Sequence, residues 1–134
     1  MTVKVLLVDN HPTVRHGLHA LLKEISNIEI VGEVENGDTA IKRAIEQRPD
    51  VVIMGLSMRC TDGFEVAGQI LKNSPQTKIM GLSLYLDKCN VKRALKIGMS
   101  GYLQKNCTAK ELRLAIRTII NGRNYFSSKI EPVF

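Results

Sequence analysis

Apolar and polar positions along this chain switch repeatedly between two periods. Val3 to Val8 (VKVLLV) is a nearly continuous β-favouring run, the pattern of a buried strand. Behind Pro12, which a first helical turn tolerates, Val14, Leu18, Leu21, Leu22 and Ile25 recur at helical spacing. Ile28 to Val34 predicts a second strand, and Asn36-Gly37 a turn. A helix follows through Ile41, Ala44 and Ile45 until Pro49 stops it. Val51 to Met54 predicts the third strand. Asp62-x-x-Glu65 reads as a capping box opening a third helix, with Asp in place of the usual Ser or Thr. Lys78 to Leu82 predicts the fourth strand, and a helix from about Lys88 ends at Gly98, a C-terminal cap. Gly101 to Leu103 predicts a short fifth strand. Thr108-x-x-Glu111 then opens a last helix through Leu112, Ala115, Ile116 and Ile119 to Gly122.

Strand–helix alternation of this kind implies an α/β fold, a parallel sheet with helices on both faces. Right-handed crossovers favour a doubly wound sheet, and ligands of such sheets bind beyond the carboxyl ends of the strands. That places His11, Gly55, Ser57, Cys60, Ser83, Lys105 and Cys107 near one face. The chain has 134 residues, the length of one domain. Residues 1–121 are read as that domain and 122–134 as a tail or the start of a linker.

Several runs resemble a known family. They are Val-Leu-Leu-Val-Asp-Asn-His-Pro (5–12), Arg-Pro-Asp-Val-Val-Ile-Met-Gly-Leu-Ser-Met (48–58), Thr-Asp-Gly-Phe (61–64) and Ser-Gly-Tyr-Leu-Gln-Lys (100–105). They are similar to response-regulator receivers of the NarL type, in order and over nearly the whole chain. The resemblance implies a five-stranded sheet of order 2-1-3-4-5 flanked by five helices, the flavodoxin-like receiver fold. It also implies a Mg²⁺ site made by two acids ending the first strand and a third ending the third strand. That third acid takes the phosphoryl group, and a hydroxyl and a lysine ending the fourth and fifth strands grip it. Here Asp9 keeps the first acid and Asn10 replaces the second. Gly55 stands at the phospho-acceptor position, Ser83 and Lys105 keep the hydroxyl and amine, and Tyr102 keeps the aromatic residue that changes rotamer with activation. Arg59 stands where the family usually has Pro, and Ser57 is the hydroxyl nearest to position 55.

Glycine has no side chain and cannot be a nucleophile. Neither Asp50 before the third strand nor Asp62 at the next helix replaces the acid in register. Mg²⁺ prefers hard oxygen ligands, commonly carboxylates. Asp9 alone against Lys105 balances to about zero charge, so Mg²⁺ binding is expected to be lost and no cofactor is expected. The expectation is a phosphorylation-independent receiver, not an enzyme, acting in two-component signalling and transcription regulation through protein–protein contacts. NarL-type receivers usually precede a helix-turn-helix domain, so DNA would be met only through such a domain if the native chain continues.

Net charge is +6, and after Tyr85 ten basic residues face three acidic ones. Lys110, Arg113 and Arg117 form a stripe on the last helix, and Lys92, Arg93 and Lys96 cluster on the helix before it. These are the candidate face for an acidic protein partner, with a homodimer through the last two helices as a further possibility. No apolar run approaches the ~20 residues of a membrane span, and three cysteines without a C-x-x-C pair fit a cytoplasmic protein. The competing reading is a small-ligand, metal or redox sensor built on the remodelled pocket. His11, Cys60, Cys89 and Cys107 would supply its thiols and imidazole, though their spacing matches no standard zinc motif. His16 and His19, three apart on the first helix, lack an evident third ligand.

Overall fold

The structure, a computed structural model, describes residues 2–58, 61–83 and 88–126. The alternation is as the periodicity predicts. β1 (Val3–Val8) leads through α1 (Pro12–Lys23) to β2 (Ile28–Val34), and α2 (Gly37–Gln47) leads to β3 (Val51–Gly55). A two-residue ladder of β4 (Ser57–Met58) and β5 (Thr61–Asp62) precedes α3 (Gly63–Asn73). Then come β6 (Lys78–Ser83), α4 (Lys88–Ile97), β7 (Gly101–Gln104), α5 (Ala109–Ile120) and β8 (Tyr125–Phe126).

The main sheet has order β2-β1-β3-β6-β7-β8, and every pairing in it is parallel. Its first five strands are the expected 2-1-3-4-5 order. The sixth, formed by Tyr125 and Phe126, departs from the tail expected over residues 122–134. They pair with Gly101 and Tyr102 on the open edge of β7. Phe126 packs on one side of the sheet and Tyr125 on the other.

The pleat sorts the apolar residues into two cores. Leu6, Val8, Val52 and Met54 face α2, α3 and α4, meeting Ala44, Phe64, Ile70, Val91 and Ala94. Val5, Leu7, Val51 and Ile53 face α1 and α5, meeting Leu18, Leu22, Leu112, Ile116 and Ile119. Each fully buried aliphatic side chain contributes roughly 1.5–3 kcal/mol, so the sheet is held from both sides.

Helix ends follow local chemistry. Asn36 is more than a turn residue: its side-chain oxygen accepts from the Thr39 backbone N–H and caps α2. Asp62 caps α3 by accepting from Phe64 N–H, and Thr108 caps α5 by accepting from Glu111 N–H. The Glu111 carboxylate, however, accepts from the Tyr125 hydroxyl, at 3.1 Å. α4 ends at Gly98, whose φ of +103° is the left-handed cap expected there.

Candidate functional site

The carboxyl ends of β1, β3, β6 and β7 meet at one end of the sheet. Asp9 follows β1 directly and is only 1% exposed. Four groups hold it there. Its backbone carbonyl accepts from the Arg15 guanidinium at 2.6 Å. Its Oδ1 accepts from the His11 backbone N–H at 2.9 Å and lies 2.9 Å from His11 Nδ1. Its Oδ2 stands 3.0 Å from Lys105 Nζ, whose side chain is 6% exposed. Oδ2 has no aligned hydrogen bond, so this last contact is a buried ion pair. Lys105 Nζ also lies 3.4 Å from His11 Nδ1.

Gly55 ends β3 against this pair. A Cβ at position 55 would stand 2.5 Å from Asp9 Oδ2 and 3.5 Å from Lys105 Nζ. The Asp9 carboxylate therefore occupies the space that a side chain at 55 needs. Ser83 ends β6, and its backbone carbonyl accepts from the Lys105 N–H at 2.8 Å, so the chain brings Ser83 and Lys105 to the same end. Tyr102 on β7 is fully buried in the α4 side of the core. Asn10 lies beside Asp9 with its Oδ1 buried and without a hydrogen-bond partner among the described residues. Ser57 lies on β4, one residue past Leu56, while Arg59 and Cys60 fall outside the described residues.

Neither alternative acid reaches the site. Asp50 sits at the far end of β3 and accepts from the Lys4 N–H. Asp62 pairs with Arg93 at 2.6 Å, and Arg93 lies 4.4 Å over the Phe64 ring. Partial burial pushes the Asp62 carboxyl up. The Arg93 hydrogen bond and charge, with backbone N–H groups of α3, outweigh this and hold it below the ordinary value.

The thiols and remaining imidazoles are dispersed. Cys89 is exposed at the start of α4. Cys107 is half-buried, and burial together with the Glu111 charge pushes its thiol up to about 11. His19 pairs with Glu33 at 2.7 Å, whereas His16 is exposed. Among the described residues no three His, Cys, Asp or Glu side chains gather as metal ligands. No helix among them is long and apolar enough to cross a membrane.

The basic residues divide into two patches rather than one. Lys92 and Lys96 are exposed on α4, which covers one side of the sheet. Arg113 and Arg117 are on α5 across the sheet, beside the end of α1, and Lys110 is exposed on the same helix. Arg93 is already engaged by Asp62 and Phe64. Sequence reasoning missed that engagement, and the grip of Arg15 and His11 on Asp9. Arg93 and Asp62 lie too far apart in the chain to leave a local pattern. The grip on Asp9, although local in sequence, depends on how the loop after β1 turns back on itself rather than on any periodicity.

The family model for the response regulator receiver domain matches residues 5–117. This chain belongs to the response-regulator receiver family. Among its relatives, the response regulator protein VraR of Staphylococcus aureus is 39% identical over 130 residues, which is 97% of this chain and 62% of VraR. The receiver thus spans less than two thirds of the length of that relative. A two-component response regulator of the LuxR family from Aurantimonas sp. superposes with a TM-score of 0.92 at 29% identity, covering 97% of this chain and 93% of that one. The receiver domain of NarL from Mycobacterium tuberculosis gives 0.85 at 29% identity, covering 91% and 98%. The fold and the class, a two-component response-regulator receiver, agree with the resemblance read from the motifs.

Proposed function

We propose that this receiver signals without an aspartyl phosphate, holding one conformation that a protein partner reads. The observation that carries this is the Asp9–Lys105 pair lying in the space of the missing side chain at Gly55. Phosphoryl transfer needs a nucleophile at that point, and Mg²⁺ needs uncommitted carboxylates. Among the described residues Asp9 is the one carboxylate at the pocket, and the Lys105 ammonium already lies against it, so those residues fit Mg²⁺ poorly. The buried Tyr102 supports a single standing conformation. The domain is accordingly a binding module rather than an enzyme. Joined to a DNA-binding domain, as the LuxR-family relatives suggest, it would act in transcription regulation.

A redox or metal sensor is less well supported, because Cys107 holds its proton to about 11 and a protonated thiol is a poor nucleophile and ligand.

The test is an amide-resolved NMR spectrum with and without Mg²⁺ plus beryllofluoride, a mimic of an acyl phosphate. An unchanged spectrum is expected. Shifts spreading from residues 55–57 through Ser83 to Tyr102 would overturn the reading.

A further inference from the structure

At the end of the sheet opposite Asp9, α5, the end of α1 and the start of β2 enclose a groove of about 470 Å³. That volume lies within the usual range of binding clefts. Ile25 and Ile28 form one wall, and Ile116 and Ile120 the other. Arg113 and Arg117 stand on the rim, exposed and one helical turn apart, with Glu24 as the acidic side chain lining the groove. Next to Arg113 on α5, Leu114 is 51% exposed outside the groove. The groove thus pairs apolar walls with two exposed arginines at its rim.

We propose that this groove docks an acidic amphipathic helix of a protein partner. Apolar side chains at i and i+4 would seat between the isoleucine walls, and carboxylates one turn apart would meet Arg113 and Arg117. This deepens the partner-binding reading above and rests on it. A second copy of the chain is a poorer occupant. Each copy carries a net +6, which opposes self-association through a face that already holds two exposed arginines.

The probe is a synthetic amphipathic helix with leucines and glutamates at i, i+4 spacing, titrated into the isotope-labelled full chain. The variants are Arg113→Glu/Arg117→Glu and, as a control with the same change in net charge, Lys92→Glu/Lys96→Glu. Shifts are expected at residues 24–28 and 113–121. Affinity should fall on the order of tenfold or more in the arginine variant and much less in the lysine variant. Equal losses in both variants would mean unspecific charge attraction and would overturn the proposal, as would shifts elsewhere or no binding. A dimer in sedimentation that only the arginine variant dissolves would hand the groove to a second copy and overturn it too. These failures leave the phosphate-independent reading intact, since that reading stands or falls on the beryllofluoride spectrum.

Discussion

Asp9 and Lys105 are 1% and 6% exposed and 3.0 Å apart, so neither charge has water to fall back on. Breaking such a pair from one side strands a buried charge. Lys105→Met is expected to cost about 3–5 kcal/mol in urea unfolding. Adding Asp9→Asn should recover a large part of that loss, whereas simple additivity of the two changes would show that the pair is not coupled. Gly55→Asp tests the same space from the other side. Its Cβ alone would stand 2.5 Å from Asp9 Oδ2, so Asp9 must swing away from Lys105. The variant is expected to lose about 1–3 kcal/mol without metal and to regain part of it with millimolar Mg²⁺, seen as a rise in melting temperature. A wild-type melting temperature in metal-free buffer would mean that the space is more yielding than this contact implies.

Two contacts between elements make their own predictions. Arg93 ties α4 to the start of α3 through Asp62 and the Phe64 ring. Both groups are well exposed, so Arg93→Ala should cost only about 1 kcal/mol. Its sharper readout is the Asp62 titration, which should move up once Arg93 no longer lowers it. At the other edge, burial and the Glu111 hydrogen bond push the Tyr125 hydroxyl from 10.0 to about 12, and Cys107 rises from 9.0 to about 11. Both groups keep their protons in the folded chain to higher pH than in the unfolded chain. The stability they contribute is therefore complete below pH 9.0 and declines as pH climbs toward about 12. Tyr125→Phe should weaken that alkaline decline, measured by urea midpoints across the range. Most elements were legible in the sequence because each spans several periods of an apolar pattern, as Val3–Val8 and Leu112–Ile119 do. β8 was not, since two aromatic residues after Gly122 carry no period. At the site, the strand ends identified Asp9, Gly55, Ser83 and Lys105. The pairing of Lys105 with Asp9 was also open to sequence reasoning once the other acids were gone. The entry of the Asp9 carboxylate into the space beside Gly55 instead depends on which atoms fill a vacated volume, and no spacing rule encodes that.

For the molecule as a whole, the sheet closes with a strand donated from beyond the last helix. A chain ended at Asn121 should keep the fold and lose about 1–2 kcal/mol, from the Tyr125–Glu111 hydrogen bond and the half-buried rings of β8. Unchanged denaturant midpoints would mean that β8 contributes nothing in solution. The docking of β8 also changes a length. Any segment joined after it hangs from Phe126 rather than from the end of α5 near Asn121. The reach from α5 is shorter by those five residues, or by roughly 17–18 Å of extended chain. A shorter tether confines what it carries to a smaller volume and raises its effective concentration at the receiver. Peeling two residues off the β7 edge would let that cargo range farther, so the β7–β8 pairing sets the leash length of whatever this receiver holds.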